Sequence, residues 1–220
     1  VLIGNHESMN MIGDLRYVSK EEYAAFAGDE TAEQRQRWFE AYVRRLPAPV
    51  DEEALRERFD VQFPAGYFAL REAFSSSGQY GKWLLGKPVI AVINGTAFVH
   101  GGLSPVVIEY GLDGVNTTLQ SELAAYVRAI DTLTEAEVLL PTDSHYDYVA
   151  IVERFMPSLD VKPEVLAAAK ALQKLDDSSL IATNGPLWNR TNVACSGIIE
   201  EYRLDAALAA IGAKRLVVGH

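Results

Sequence analysis

A single cysteine, Cys195, stands in this chain of 220 residues, which excludes an internal disulfide. One thiol does not separate a reducing compartment from a cysteine-poor exported protein, so localisation stays open. Long apolar runs are missing too. None reaches the roughly 18 to 20 residues that a membrane-spanning helix needs, and the opening residues carry neither a charged n-region nor a cleavage site. The chain is therefore expected to be soluble. Basic residues are outnumbered, 20 against 30 acidic, and the net charge of −10 repels polyanions, which argues against general nucleic-acid binding. An anionic substrate would need local positive charge, most simply metal ions. Internal repeats, low-complexity tracts and long linkers are absent as well. One layered αβ domain with a substantial core is the expectation. Oligomeric state leaves no trace in the sequence.

What is present alternates between helical and strand-like patterns. Ser19 with Glu22, and Thr31 with Gln34, are capping-box spacings that predict two helix starts. Trp38, Phe39, Tyr42, Val43 and Leu46 recur at helical spacing until Pro47 and Pro49 end the second helix. Short helices are predicted over Asp51 to Phe59 and Tyr67 to Phe74, divided by Pro64 and Gly66. Pro88 to Ile93 and Thr96 to His100 read as strands joined by Asn94-Gly95, a pair that tolerates the positive φ of a hairpin turn. Leu119, Leu123, Tyr126 and Ile130 mark a helix, and Tyr148, Ile151, Val152 and Phe155 another. Pro163 opens a third that runs to about Leu175, and Ile198 to Ile211 forms the last, with Gly212 placed to terminate it. Val1-Leu2-Ile3 reads as a strand already under way, and Leu216-Val217-Val218 as a strand running into Gly219-His220. Native sequence is expected to continue beyond both ends.

Three of the four histidines, His6, His100 and His220, follow apolar strand-like runs beside glycine or asparagine. Such positions let a layered αβ protein present polar groups at a sheet edge. His145, in Thr142-Asp143-Ser144-His145, lacks a strand behind it and reads as a surface or capping residue.

Gly4-Asn5-His6-Glu7, His100-Gly101-Gly102-Leu103-Ser104-Pro105 and Val218-Gly219-His220, in that order, resemble three motifs of the phosphoprotein phosphatase branch of the calcineurin-like metallophosphoesterases. Within that branch, Gly4 to Tyr17 and Gly185-Pro186-Leu187-Trp188-Asn189-Arg190 are similar to the Shewanella-like protein phosphatases. The resemblance implies an α/β sandwich of two central mixed sheets flanked by helices, in a single domain over 1–220 that is truncated at both ends. The insert over 8–86 would form a helical cap.

The resemblance also implies roles. Asn5 would offer its side-chain oxygen, and His100 and His220 their imidazole nitrogens, to the second of two divalent metal ions. His6 would bind no metal and would protonate the leaving alkoxide, the work of a general acid. Arg190 is the candidate phosphate clamp, since a guanidinium offers paired donors to phosphate oxygens. Arg16 and Trp188 read as surface and packing residues. Two ions about 3.5 to 4 Å apart would acidify a bridging water, whose hydroxide attacks phosphorus in line. Mixed oxygen and imidazole ligation suits manganese, iron or zinc better than calcium, with manganese favoured.

The family's two earlier motifs, GDxHG and GDxxDRG, are not in this sequence, and Asp14 and Asp143 have the wrong context to replace them. This polypeptide alone is therefore expected to have little or no activity, and the enzyme reading concerns an intact parent. That reading is hydrolysis of phosphomonoesters, phosphoserine, phosphothreonine or phosphotyrosine on proteins among them. Phosphodiesters and dinucleoside polyphosphates are the alternative substrates on the same scaffold. A non-catalytic phosphoesterase-like binding scaffold is the alternative of another class. A histidine-based zinc hydrolase would need an HExxH or comparable pair, and none occurs.

Overall fold

Asn94 and Gly95 both adopt positive φ, 50° and 70°, and fold Ile90–Ile93 (β1) back onto Thr96–Val99 (β2) with Ile93 opposite Thr96. This is the geometry of a two-residue primed turn, whose twist matches that of the strands it joins. Arg215–Val218 (β3) adds to the other side of β2 in parallel, Val99 beside Val218. The structure is a computed structural model and describes residues 1–47, 51–156, 162–176, 178, 185–194 and 197–220. Pro49 and Cys195, named above, lie outside them.

The fold is mixed α/β, with helices in the majority and one three-stranded sheet, ordered β1-β2-β3, among the described residues. The expected pair of sheets is not seen there. Nor is Val1-Leu2-Ile3 a strand: it is irregular backbone, joined to the sheet's approach by one bond from the Ile3 N–H to the Pro88 carbonyl at 3.0 Å. Apolar β-branched residues become a strand only where a partner ladder receives them.

The chain divides into two compact units: Val1–Ser8, Trp83–Tyr126 and Ala171–His220 form the first, Met9–Lys82 and Val127–Lys170 the second. In the first, Asn116 completes the hydrogen bonding at β1. Its Oδ1 accepts the N–H groups of Val89 and Ile90 at 2.8 and 3.0 Å, while its Nδ2 donates to the Ile90 carbonyl at 2.9 Å. At Val89 and Ile90 these bonds take up groups that a further strand would otherwise use. Val115, Leu119 and Leu123, from a helix over Val106–Glu135, are buried, as are Val89, Ile90, Ala97 and Val99. That helix begins well before the stripe at Leu119 and is interrupted at Gly111, where φ is 65° and ψ −178°. Gly197–Ala210 is the closing helix, and it buries Ala207 and Leu208 before Gly212, at φ 69°, turns the chain into β3.

The second unit is helical. The capping box at Ser19 and Glu22 is complete on both sides and starts Lys20–Ala25; Thr31 caps Ala32–Arg44 by accepting from the Gln34 N–H. Glu52–Gln62 starts at Asp51 and Tyr67–Ala73 follows Gly66. Trp38, Phe39, Phe59, Phe63 and Phe68 form one buried cluster, with the Phe39 and Phe59 rings 5.2 Å apart edge to face, an arrangement that adds about 0.5–1.5 kcal/mol beyond area burial. No helix among the described residues is long and apolar enough to cross a membrane.

Candidate metal centre

Parallel pairing of β2 and β3 delivers both of their terminal histidines to one end of the sheet. The His100 carbonyl accepts the N–H groups of Gly219 and His220 at 3.1 and 3.0 Å, so the backbones stay tied past the last strand residues. The two imidazoles stand perpendicular with centroids 5.1 Å apart.

Asn5 and His6 arrive from elsewhere, on the first turn of a helix over Asn5–Ile12. The Glu7 carboxylate turns back to accept the Gly4 N–H at 2.9 Å. A Cβ at Gly4 would lie 2.6 Å from that carboxylate and 2.8 Å from His100 Nδ1, so only glycine lets the helix entry pass this close to the ring. Asn5 is 1% exposed; its carbonyl accepts the Ser8 hydroxyl at 2.9 Å, while its side-chain Oδ1 is buried and has no partner among the described residues. His100 Nε2 is buried and unpartnered in the same way. A buried polar atom without a partner costs about 1–3 kcal/mol, which makes such atoms worth explaining. An amide oxygen and an imidazole nitrogen are both metal-ligand atoms. His6 is exposed, its ring 6.3 Å from that of His220.

Burial, foremost, and then the positive charges of His220, Arg190 and His6 push the His100 pKa below its ordinary value, against the opposing pull of Glu7. His220 is lowered too, by desolvation first and then by Arg190 and His6. Both rings are thus biased towards the neutral form that coordinates metals. Among the described residues, no three His, Cys, Asp or Glu side chains form a group that could hold a metal ion. The candidate donors are the paired imidazoles of His100 and His220 and the amide oxygen of Asn5.

Arg190 directs Nη1 to the carbonyls of Asn189 and Leu187 at 3.0 and 3.3 Å, the described hydrogen bonds of its guanidinium. Its charge bears on both His100 and His220. Trp188, half-buried, lies in the turn that precedes it, where its N–H donates to the Gly185 carbonyl at 3.0 Å. A cavity of about 370 Å³ is lined by Leu103, Pro105, Asn189 and Thr191, which follow or flank His100 and Arg190, and by Ile108 of the helix over Val106–Glu135.

Four other sequence candidates fall in the second unit. Arg16 pairs with Asp14 at 2.8 Å, Asp143 with Arg45 at 2.7 Å, and His145 opens a short 3-10 turn capped by Ser144. Sequence reasoning missed Asn192, whose Oδ1 accepts the Leu103 N–H at 2.7 Å across 89 residues of chain. Its nearness to Arg190 in sequence was the one available signal.

No family model matches the chain. Over 127 residues, 51% of this chain, it is 33% identical to Shewanella-like protein phosphatase 2 of Arabidopsis thaliana, and the match spans 30% of that relative's length. A solved structure of a cold-active protein tyrosine phosphatase is similar over 99% of this chain and 41% of its own, at 21% identity and a TM-score of 0.45. In sequence, then, the chain is related to a Shewanella-like protein phosphatase, the group that its Gly4 to Tyr17 and Gly185 to Arg190 segments resemble.

Proposed function

We propose that this chain carries one half of a metal-dependent phosphomonoesterase centre, in which Asn5 Oδ1, His100 Nε2 and a nitrogen of His220 hold one divalent ion. The observation that carries this reading is that Asn5 Oδ1 and His100 Nε2 are both buried and unpartnered among the described residues, with the His220 ring centroid 5.1 Å from that of His100. Manganese, iron and zinc suit that donor set, manganese foremost. When bound, divalent ions would supply positive charge and an acidified water in a chain whose net charge is −10.

The residues of the chain do the remainder. Arg190 uses Nη1 on its own loop, and its Nε and Nη2, which make no hydrogen bond among the described residues, would serve phosphate oxygens. A water oxygen forms a bond to phosphorus as the ester P–O bond breaks, and His6, exposed at the edge of the site, gives its ring proton to the departing alkoxide. The three-stranded sheet would be part of a two-sheet sandwich. The name of the Arabidopsis relative favours phosphoprotein substrates over diesters and dinucleoside polyphosphates. The sequence lacks the two acidic motifs that serve the other ion, so the chain alone is expected to bind one ion and turn over little.

The test joins the chain to a segment bearing GDxHG and GDxxDRG motifs and follows phosphate release from a phosphopeptide, a diester and a dinucleoside polyphosphate with Mn²⁺ added. Fastest turnover of the phosphopeptide is expected. A folded, metal-loaded protein that hydrolyses none of the three would overturn the enzyme reading in favour of a binding scaffold.

A further inference from the structure

The loop that follows His100 is held at three successive peptide groups. The N–H groups of Gly101 and Gly102 both donate to the Pro186 carbonyl, at 3.1 and 3.3 Å, and that of Leu103 donates to Asn192 Oδ1 at 2.7 Å. Both glycines are pressed against the loop that supplies these acceptors. A Cβ at Gly101 would lie 2.6 Å from the Pro186 oxygen and 2.7 Å from Arg190 Nη1; at Gly102 it would lie 2.6 Å from Asn192 Oδ1. On its other side the His100 peptide is fixed by Gly219 and His220, which donate to its carbonyl. The Pro186 oxygen already takes two donors, so Leu103 depends on the Asn192 side chain. Asn192 Nδ2, meanwhile, is buried without a partner among the described residues. A buried amide whose donor has no partner among the described residues carries a cost, and the bond that its oxygen makes to Leu103 offsets it.

We propose that Asn192 is a positioning residue: by holding Leu103 it locks the loop that carries His100 to the loop that carries Arg190, so that the ligand imidazole and the phosphate clamp move as one piece. This rests on the reading of His100 as a metal ligand. Groups that orient a ligand without touching the ion typically alter its affinity by about 10- to 100-fold when replaced.

The experiment compares Asn192→Leu, which keeps bulk and loses the acceptor, with Asn192→Asp, which keeps an acceptor, in the 220-residue chain. Mn²⁺ affinity is measured by calorimetry and the His100 Cε1–Hε1 signal by NMR. Asn192→Leu is expected to weaken Mn²⁺ binding by about 10-fold or more and to move the His100 signal, while Asn192→Asp restores both. Leu208→Ala, in the closing helix of the same unit, serves as a purely structural control that lowers Tm and leaves the affinity within about twofold. If a folded Asn192→Leu protein binds Mn²⁺ as the wild type does, or if Leu208→Ala weakens binding as much, the proposal fails. If the wild type binds no Mn²⁺, the metal reading falls by itself. The His100 signal then decides: a shift in Asn192→Leu reversed in Asn192→Asp keeps the positioning role, and no shift removes it.

Discussion

The two compact units handle their polar groups differently. In the helical second unit, Arg35 gives its guanidinium to Glu30, Asp60 and the carbonyls of Phe63 and Pro64, all within 3.0 Å, and Arg45 does the same for Asp143 and the carbonyls of Glu137 and Val138. Its charges are spent on holding the fold. In the unit that contains the sheet, the buried Asn5 Oδ1 and His100 Nε2, both of a kind that binds metal, have no partner among the described residues, whereas close backbone approach at glycine is common to both units, at Gly4 and Gly101 in this one and at Gly66 and Gly81 in the other. On the proposed reading, the second unit spends its arginines on the fold while the first leaves donor atoms available to a ligand, as functional sites commonly do.

Reciprocal substitutions test this contrast most severely. His100→Ala is expected to weaken Mn²⁺ binding by more than about 100-fold, beyond the range of an outer orienting group, with little change in the urea midpoint. Phe59→Ala, at the centre of the aromatic cluster, is expected to cost about 3–5 kcal/mol in urea unfolding and to leave the Mn²⁺ affinity of the folded protein intact. A shared loss in both measurements for either variant would break the division of labour.

An intermediate effect is expected from pH. The His100 and His220 pKa values lie below the ordinary 6.5 in the folded chain, so the unfolded chain binds more protons just below that pH. Stability from these groups is therefore complete above about pH 6.5 and is lost as pH falls through that value towards the folded pKa values. Mn²⁺ affinity should follow the same course, level above about pH 7 and declining on acidification as protons compete for the imidazoles. Calorimetric titrations at several pH values check it; affinity that rises towards acid would show that neutral imidazoles are not the ligands. The smallest effect belongs to Ser19→Ala, which removes the capping box and should cost about 1 kcal/mol in urea unfolding, with no change at the site.

Local chemistry was readable in the sequence wherever a few adjacent residues decide the outcome. Asn94-Gly95 makes its hairpin, Pro163 opens Pro163–Asp176, and Ser19 and Glu22 close their box as their spacing requires. The helix over Val106–Glu135 was recognised only from Leu119 on, because Val106, Val107 and Ile108 are modest helix formers and Gly111 interrupts the pattern. Val1-Leu2-Ile3 carries strand chemistry without a strand to pair with among the described residues. For the site, the histidines that follow β2 and β3 were legible because the strands before them were. Asn192 was not, since what matters about it is a bond to a peptide group 89 residues away.

The parallel ladder between β2 and β3 carries one more implication. Val99 and Val218 are neighbours in space although 119 positions separate them in the chain, so their pairing closes a very long loop. Contacts of that sequence separation form slowly, after the entropy of loop closure has been met. The meeting of His100 and His220 consequently depends on that closure, and on the proposed reading an ion held between them would report that the ladder has formed: a molecule whose β2 and β3 are still apart would leave the ion in solution.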